Sequence, residues 1–317
     1  QRVLSDADDS KKVRSYLDCK DKPFLNRMLG GLYTPGSIIK PFLALAALEE
    51  QVISSQKRIF SSGELRVPNP YRPGEFTTFK DNAAHGAVDM KRAIAVSSNV
   101  YFYQIGGGFG GQEGLGIVRI NKYLSLFGIG DKTGINISGE LDGTVPSIEW
   151  KEKRFPGDQW RIGDTYNTAI GQYGFQVTPI QMLRAIAGIA SRGELVTPTI
   201  IKDDGSKEKN STRLPIEDSY FSVVQEAMRM VVTEGTAQSL NNEQLPVSAK
   251  TGTSQIKNNT RVNSWVIGFF PSDTPRYAFV VLMEDGPKVS SGAAHAFKTV
   301  IEYLVENPES LAEQEDL

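Results

Sequence analysis

From residue 245 onward the sequence changes from a helical to a β pattern, and this change constrains the fold most. Three runs rich in β-branched and aromatic residues follow one another, "VSAKTGTSQI", "VNSWVIGFFPS" and "RYAFVVLMED", with polar turns at 258–259 and 272–275. This spacing is typical of consecutive antiparallel strands. The next segment, "AAHAFKTVIEYLVEN", spaces Phe297, Val300, Ile301 and Leu304 at helical intervals. We therefore expect an antiparallel meander covered by a C-terminal helix.

Ahead of these strands the pattern is mostly helical. Apolar residues recur at helical intervals in residues 37–52, 89–96, 100–105, 114–127, 178–191 and 216–232. The stretch "FSSGELRVPNPYRPGEFTTFKDNAAHG" is instead rich in Pro, Gly and Asn, which predicts an extended, loop-dominated connection. The whole pattern indicates an α+β fold, with an antiparallel sheet flanked by helices, an all-helical lobe beside it, and a cleft between them.

Composition argues against two classes of protein. The 317 residues are 39% hydrophobic, so the chain can bury one large core or two moderate ones. A formal net charge of -2 provides no broad basic face, and we expect no nucleic-acid partner. No run of about 18 consecutive apolar residues occurs, so the sequence predicts neither a membrane span nor a signal peptide. The first residues, "QRVLSDADDSKK", do not resemble a native start, and an anchor is expected upstream.

Histidine and cysteine are too scarce for the commonest catalytic and metal sites. The chain holds two histidines, His85 and His295, and one cysteine, Cys19. It can form no intrachain disulfide, it has little material for a His/Cys zinc site, and it poorly supplies a Ser-His-Asp triad. Cys19 is expected to be a packing or surface thiol. If the chain is an enzyme, its general base is expected not to be histidine.

Ser37 and Lys40 stand three residues apart at the head of an apolar run, "TPGSIIKPFLALAALEE". The spacing alone is weak evidence, because it recurs at 54/57 and 206/209. The copy at 206 lies in the polar loop "DDGSKEKN", and the copy at 54 follows the end of the predicted helix, so neither is placed to orient a nucleophile. Ser37 and Lys40 would stand about one helical turn apart, within side-chain reach of each other.

The apolar neighbours of Lys40 would change its chemistry. Burial disfavours the ammonium form and lowers a lysine pKa, as does a second cation nearby. A neutral Lys40 could take the proton of the Ser37 hydroxyl, while backbone N–H groups at the helix start face the developing negative charge. The alternative is a core-helix lysine whose ammonium extends to solvent.

A second candidate element is Ser97-Ser98-Asn99 in "AVSSNVYFYQI", between two apolar helical stretches. Such a junction can hold a hydroxyl and an amide in a cleft. A similar triplet at 239–241 lies in a polar loop. The alternative interpretation of Ser97 is an ordinary helix N-cap.

A third candidate element is "AKTGTSQ", which begins the β meander at Lys250 and has a copy at 132–134 that is expected to be a turn. On a strand, Lys250 and Gly252 share one face, and Thr251 and Thr253 share the other. A cation beside hydroxyls suits a substrate carboxylate, and glycine at 252 would let a ligand backbone approach. The alternative is an edge strand with a solvated lysine.

The three elements in this order are far more specific than any one of them, and they resemble the motifs of the penicillin-recognising acyl-serine transferases. Further segments narrow the resemblance to the class B penicillin-binding proteins, and within them to the penicillin-binding protein 2 group of the elongation machinery. These segments are "NRMLGGLYTPGSIIKPF", "HGAVDMKRAIAVSSNVYFYQIG", "EWKEKRFPGDQWRIGDTYNTAIGQYGFQVTPIQM" and "VVTEGTA". The resemblance covers nearly everything from residue 24 onward.

The resemblance implies a D,D-transpeptidase that cross-links peptidoglycan stem peptides through an acyl-serine, and that β-lactams acylate. It implies Ser37 as nucleophile, Lys40 as its base and Ser97 as proton relay, with Lys250 polarising the network. Backbone N–H groups of Ser37 and Thr253 would form the oxyanion hole. The implied substrate-binding residues are Asn99 for the substrate amide, and Thr251, Gly252 and Thr253 around the terminal carboxylate.

The resemblance also implies a domain organisation. Residues 1–317 would form one transpeptidase domain, with 1–22 as a charged lead segment. In the family a membrane helix, a pedestal and the first strands of the sheet precede the Ser-x-x-Lys helix, and we expect the anchor and pedestal to be absent here. Some relatives hold a structural zinc ion near the "HG" of "HGAVDM" with His, Asp and Cys ligands. His85 and Asp81 are present but Cys19 lies outside that region, so we expect no metal and no cofactor.

The implied partners are stem peptides, lipid II-derived glycan, β-lactam antibiotics, a SEDS-type glycosyltransferase and other elongation-complex proteins. The implied location is the extracytoplasmic face of the bacterial inner membrane, in the periplasm. The motifs leave alternatives open: a β-lactamase or D,D-carboxypeptidase of the same superfamily, in which water resolves the acyl-enzyme, or a non-catalytic β-lactam sensor domain.

Overall fold

Helices on the faces of a three-stranded antiparallel sheet make up most of the computed structural model, which describes residues 10–69, 72–201, 210–256, 260–287 and 292–312. Within those ranges no helix has both the length and the apolar character needed to cross a membrane. The helices are α1 (Ser10–Leu17), α2 (Arg27–Gly30), α3 (Lys40–Glu49), α4 (Met90–Ala95), α5 (Asn99–Gly107), α6 (Gly116–Leu126), α7 (Ile148–Arg154), α8 (Ile162–Ala169), α9 (Pro179–Ala190), α10 (Asp218–Thr233), α11 (Gly292–Glu306) and α12 (Glu309–Ala312), with 3₁₀ turns at Gly36–Ile39 and Gln238–Leu240. The strands are β1 (Ile59–Ser61), β2 (Glu64–Pro68), β3 (Phe76–Lys80), β4 (Gly86–Val88), β5 (Glu194–Val196), β6 (Ser211–Arg213), β7 (Ser248–Ile256), β8 (Arg261–Phe270) and β9 (Tyr277–Pro287).

The predicted meander is confirmed. The strand order is β7-β8-β9 with both pairings antiparallel. The central strand β8 is buried along nearly its whole length, which explains its continuous apolar run. The turn predicted at Asn258-Asn259 lies outside the described residues.

Helix α3 lies at the centre of the hydrophobic core. Every residue from Lys40 to Leu48 is buried, as expected for a helix that is apolar all round. The same core includes the inner faces of α10 and of the sheet, and α11 joins it by stacking Phe297 on Phe279 with ring centroids 3.9 Å apart. The helices and the sheet therefore share one core, and the predicted C-terminal helix packs as expected.

The connection between α3 and α4 is more regular than predicted. It is extended, but it forms two antiparallel pairs, β1 with β4 and β2 with β3, so the expectation of a loop-dominated segment is wrong. Apolar side chains within it find partners: Leu65 is buried, and Phe79 packs edge-on against Tyr103 and Tyr166. Pro73 and Gly74, two of the residues behind that prediction, lie in the turn between β2 and β3.

Candidate active site

A cleft of about 830 Å³ opens between the edge strand β7 and the helical part of the molecule. Six of the eight residues predicted for the site line it, namely Ser37, Ser97, Asn99, Thr251, Gly252 and Thr253. The other two, Lys40 and Lys250, are fully buried and hydrogen-bonded to Ser97. The fold thus brings together three elements that lie far apart in the sequence.

Ser37 sits on a tight turn that leads into α3. Gly36 has a φ of +59°, which only glycine adopts readily. A 3₁₀ turn, Gly36–Ile39, follows and continues into α3, where Pro41 lies in the first helical turn and removes no helical hydrogen bond. Ser37 is half-buried on the wall of the cleft.

Three glycines let three backbone segments touch at this turn. The Gly36 N–H donates to the Gly171 carbonyl oxygen at 3.0 Å. A β-carbon at position 36 would lie 2.8 Å from the Thr253 carbonyl oxygen, and one at position 171 would overlap the backbone of Gly36. A β-carbon at 252 would lie 2.8 Å from the Pro35 carbonyl oxygen. We call Gly36, Gly171 and Gly252 the glycine contact.

The predicted reason for glycine at 252 needs correction. Gly252 lines the cleft, but the space beside its α-carbon is filled by Pro35 and Ile38 of the turn that carries Ser37. Glycine is therefore required there because β7 packs on that turn, not because a ligand backbone needs the room.

Lys40 directs its amine at the second element. Its Nζ donates to the Ser97 carbonyl oxygen at 2.7 Å and to Asn99 Oδ1 at 2.8 Å, and it lies 3.3 Å from Ser97 Oγ. In the described part of the chain no hydrogen bond joins it to Ser37. Burial, and then the charge of Lys250, lower the pKa of Lys40 well below its ordinary value, and Asp81 opposes part of this effect.

The two short bonds of Lys40 suit a neutral amine. Both acceptors are oxygens that cannot donate, so the two N–H groups of an uncharged –NH₂ are enough to satisfy them, and its lone pair would then be available to accept a proton. The alternative of a lysine reaching out to solvent is excluded by the complete burial of Lys40.

Lys250 approaches Ser97 from the opposite side. Its Nζ donates to Ser97 Oγ at 2.9 Å and to the Thr251 carbonyl oxygen at 3.0 Å. Burial lowers the pKa of Lys250 to about 7. The alternative of a solvated edge-strand lysine is wrong, because Lys250 is 0% exposed.

Ser97 adopts an unusual backbone conformation that aims its side chain between the two lysines. Its φ is +60°, in the left-handed region that non-glycine residues rarely enter, and it is buried. The alternative of Ser97 as a helix N-cap is wrong, because the cap of α5 is Ser98, whose Oγ accepts from the Tyr101 N–H. The neighbouring Asn99 accepts from Lys40 and donates from Nδ2 to the Lys80 carbonyl oxygen at 3.3 Å.

Thr236 is a cleft residue to which sequence reasoning assigned no role. Its Oγ1 lies 2.6 Å from Thr251 Oγ1, and its N–H donates to the Ala95 carbonyl oxygen. The signal was present in the segment "VVTEGTA", but nothing in the sequence showed that this segment returns to β7. Lys80, Ile170 and Gln172 line the cleft as well.

A family model described as the penicillin binding protein transpeptidase domain matches residues 3–302. The chain belongs to this family. It is 30% identical over 322 residues to the peptidoglycan D,D-transpeptidase MrdA of Acinetobacter baumannii, which covers 92% of this chain and 45% of that protein. The chain spans about half the length of the curated relatives it matches.

Solved structures of penicillin-binding proteins resemble the fold closely. Pseudomonas aeruginosa PBP2 in complex with WCK 5153 aligns with a TM-score of 0.81 and 31% identity, over 92% of this chain and 63% of that one. The complex between PBP2 and MreC from Helicobacter pylori aligns with a TM-score of 0.80 and 30% identity, over 94% and 54% of the two chains. These findings confirm the predicted family and fold class.

The other copies of the three penicillin-binding protein motifs lie apart from the cleft. Ser54 and Lys57 are exposed in the turn after α3. Asn241, in the second Ser-x-Asn, accepts from Arg229, and Thr133, in the second Lys-Thr-Gly, donates to Glu140. The copy at Ser206 and Lys209 lies outside the described residues.

Asp81 and His85, the two residues considered for a zinc site, lie close together but make other contacts. Among the described residues no three His, Cys, Asp or Glu side chains cluster as metal ligands. His85 Nε2 lies 3.8 Å from Asp81 Oδ1, but both Asp81 oxygens accept hydrogen bonds from serine hydroxyls or backbone N–H groups. Cys19 is a free, partly exposed thiol far along the chain from this pair.

Proposed function

We propose that this chain carries the D,D-transpeptidase activity of a peptidoglycan synthase of the elongation type. The observation that carries the proposal is the position of the buried Lys40 amine. Lys40 follows Ser37 by three residues, and its Nζ donates to the Ser97 carbonyl oxygen and to Asn99 Oδ1 beside the cleft. Relatives about 30% identical are named peptidoglycan D,D-transpeptidases, which supports the same assignment.

Acylation would begin with the neutral Lys40 amine taking the Ser37 hydroxyl proton. The Ser37 oxygen attacks the carbonyl carbon of the penultimate D-Ala, and the C–N bond to the terminal D-Ala breaks. The leaving amine receives its proton from the Lys40 ammonium through Ser97, which lies within reach of both lysines. The products are an ester on Ser37 and free D-Ala.

Two backbone N–H groups would stabilise the negative charge on the carbonyl oxygen. Ser37 lies in the first turn of a 3₁₀ helix, and the Thr253 backbone lies against Gly36, so the two residues are neighbours. Thr251 and Thr253, beside the buried cation Lys250, would bind the terminal carboxylate of the donor peptide, and Asn99 its amide.

Cross-linking would complete the cycle. An amine of a neighbouring stem peptide attacks the ester and loses a proton to Lys40, while the Ser37 oxygen regains a proton as the new amide forms. A β-lactam would acylate Ser37 in the same way, but its opened amide stays tethered, so the acyl-enzyme would persist.

The proposed setting follows from the substrate. Stem peptides and lipid II-derived glycan lie outside the cytoplasmic membrane, so we place the enzyme at that face, in the periplasm and membrane-anchored. The Helicobacter pylori PBP2 was solved in complex with MreC, which supports elongation-complex proteins as partners. A similar solved structure is described as a peptidoglycan synthase complex that coordinates polymerization and crosslinking, which supports a glycosyltransferase partner, and we propose one of the SEDS type.

Labelling with a fluorescent penicillin tests the proposal. We expect one covalent label per chain that persists for many minutes and is absent in Ser37→Ala and Lys40→Met. Ser54→Ala and Lys57→Met, in the exposed copy of the motif, are the matched controls and should label like the wild type. An unchanged label in Ser37→Ala would contradict the assignment.

The time course separates the alternatives. Rapid loss of label with hydrolysed drug would indicate a β-lactamase. Release of D-Ala from a stem-peptide mimic without a cross-linked product, even with acceptor amine present, would indicate a carboxypeptidase. A stable label without turnover of any stem peptide would indicate a sensor domain.

A further inference from the structure

A buried carboxylate, Asp81, lies under the Ser97-Ser98-Asn99 element without lining the cleft. Its side chain is 0% exposed. Residues 81–85 connect β3 to β4, and the Asp81 N–H donates to the Gly63 carbonyl oxygen at 2.8 Å, which fixes the start of this loop on the β2–β3 pair.

Five donors converge on this one carboxylate. Oδ2 accepts from Ser98 Oγ at 2.7 Å, from Ser61 Oγ at 2.8 Å and from the Val100 N–H at 3.0 Å. Oδ1 accepts from the Asn99 N–H at 2.6 Å and from the Asn82 N–H at 2.8 Å. Three of these donors belong to residues 98–100, so the carboxylate binds the N-terminus of α5, where negative charge is favoured.

These bonds hold the residues that flank Ser97 in the chain. Ser97 has a strained backbone with φ +60°, and Ser98 and Asn99 immediately after it are tied to Asp81 through a side-chain hydroxyl and a backbone N–H. The Asn99 N–H bonds to Asp81 while the Asn99 side-chain oxygen accepts from Lys40, so the backbone and the amide of this residue are both fixed. A strained conformation persists only where its surroundings over-determine it.

We propose that Asp81 is a positioning residue for acyl transfer, which fixes the 97–99 turn so that the Ser97 hydroxyl and the Asn99 amide meet Lys40. The inference rests on the proposed function. Asp81 touches neither substrate nor the reacting atoms, and it acts through Ser98 and Asn99.

The charge of Asp81 reaches Lys40 as well. Asp81 raises the pKa of Lys40, against the larger effects of burial and of Lys250. The charged or titratable groups that share this region are Lys40 from α3, Lys250 from β7, Tyr103 from α5, His85 on the loop of Asp81, and the exposed Lys80 at the end of β3. Loss of the negative charge would lower the Lys40 pKa further, so Lys40 would stay neutral at more acidic pH.

Asp81→Asn tests the inference. It keeps the shape of the side chain, but it replaces one carboxylate oxygen with an NH₂ group, which cannot accept the hydrogen bonds that this oxygen receives. We expect the first-order acylation step by a fluorescent penicillin to slow by about 100-fold. We also expect the acid limb of the residual rate to move to lower pH, a shift that a purely structural defect would not produce.

Glu140→Gln is the matched control. Glu140 is a buried carboxylate that accepts from the Thr133 N–H and hydroxyl and from the Gly134 N–H, away from the cleft. It should lower the melting temperature about as much as Asp81→Asn while acylating at the wild-type rate.

A milder pair guards against misfolding of Asp81→Asn. Ser98→Ala deletes one donor from the turn and should slow acylation by about 10-fold, whereas Ser62→Ala, at an exposed serine, should not. Wild-type acylation rates in folded Asp81→Asn or Ser98→Ala would overturn the inference. The proposed function would be unaffected by that result, because it depends on the labelling of Ser37 in the wild type.

Discussion

At the scale of the residue, two lysines share one hydroxyl. Ser97 Oγ lies 3.3 Å from Lys40 Nζ and 2.9 Å from Lys250 Nζ, and both amines are buried. Two positive charges at this separation in a dry site disfavour each other. Each lysine therefore has a lowered pKa, and an amine that releases a proton easily is suited to act as a base or in a proton relay.

The buried Lys250 makes the stability of the fold depend on pH. Its pKa is about 7 in the folded chain and near the ordinary 10.5 when unfolded. Between these values the unfolded chain binds a proton that the folded chain does not, so stability rises with pH across this window and falls as pH drops toward 7. Below 7 both states are protonated and the contribution is constant.

We predict that Lys250→Met flattens this dependence. The free energy of unfolding in urea, measured between about pH 7 and pH 9.5, should rise more steeply in the wild type than in the variant. Lys298→Met, at an exposed lysine on α11, should follow the wild-type curve. Parallel curves for wild type and Lys250→Met would show that Lys250 is charged in the folded protein.

The sequence predicted the burial of Lys40 because its neighbours are apolar, but it could not predict the lysine's partners. Ser97 is 57 residues away, and no local pattern encodes that distance. The contacts of Asp81 were missed for the same reason, since they depend on the β3–β4 loop returning to α5. The Ser98 cap is a local bond, but two adjacent serines stood at the predicted helix start and the sequence did not show which of them is the cap.

At the scale of the element, the turn that carries Ser37 is held by backbone contacts. Gly36 lies between Gly171 and Thr253, and its φ of +59° directs the chain into α3. Trp265 of β8 adds a side-chain bond, donating from Nε1 to the Thr34 carbonyl oxygen at 3.1 Å. The main chain of the turn therefore lies directly against residue 171, and Trp265 joins the sheet to the same turn.

We predict that Gly36→Ala slows penicillin acylation, because the β-carbon would push Thr253 away from Ser37. Gly110→Ala is a close control: Gly110 has a φ of +58°, and a β-carbon there meets nothing within 4 Å. Both variants should lose about 1–2 kcal/mol from left-handed strain, but only Gly36→Ala should lose acylation. Equal acylation rates in the two folded variants would contradict the prediction.

Elements with a sustained apolar spacing were predictable, and more polar helices were not. Six helical patterns and three strands appear near their predicted bounds, because their apolar spacing is sustained. Helices α7 and α8 were not predicted because their sequences, IEWKEKR and IGDTYNTA, lack a sustained apolar spacing.

At the scale of the whole molecule, a single core supports both sides of the cleft. The buried cluster runs from α3 through α10 to the sheet and α11. The cleft lies where the edge of β7 meets the helical part above this core. Its walls are therefore as rigid as the packing beneath them.

We predict that Phe297→Ala destabilises the fold without altering the chemistry. Phe297 is 6% exposed and stacks on Phe279 across the α11–sheet interface. Its truncation should cost about 3–5 kcal/mol in urea unfolding, while the folded fraction acylates at the wild-type rate. Val300 lies on the same helix and is 44% exposed, so Val300→Ala should lower the free energy of unfolding only slightly. A slowed acylation in folded Phe297→Ala would show that α11 also shapes the cleft.

The glycine contact has a consequence for the side chains that line the cleft. Main-chain atoms of Gly36, Gly171 and Thr253 meet beside Ser37, so side chains on the rest of the cleft wall take no direct part in these contacts. Side chains on the cleft wall such as Gln172 lie outside these contacts. The spacing around Ser37 and the side-chain lining of the cleft are thereby separate features of this architecture.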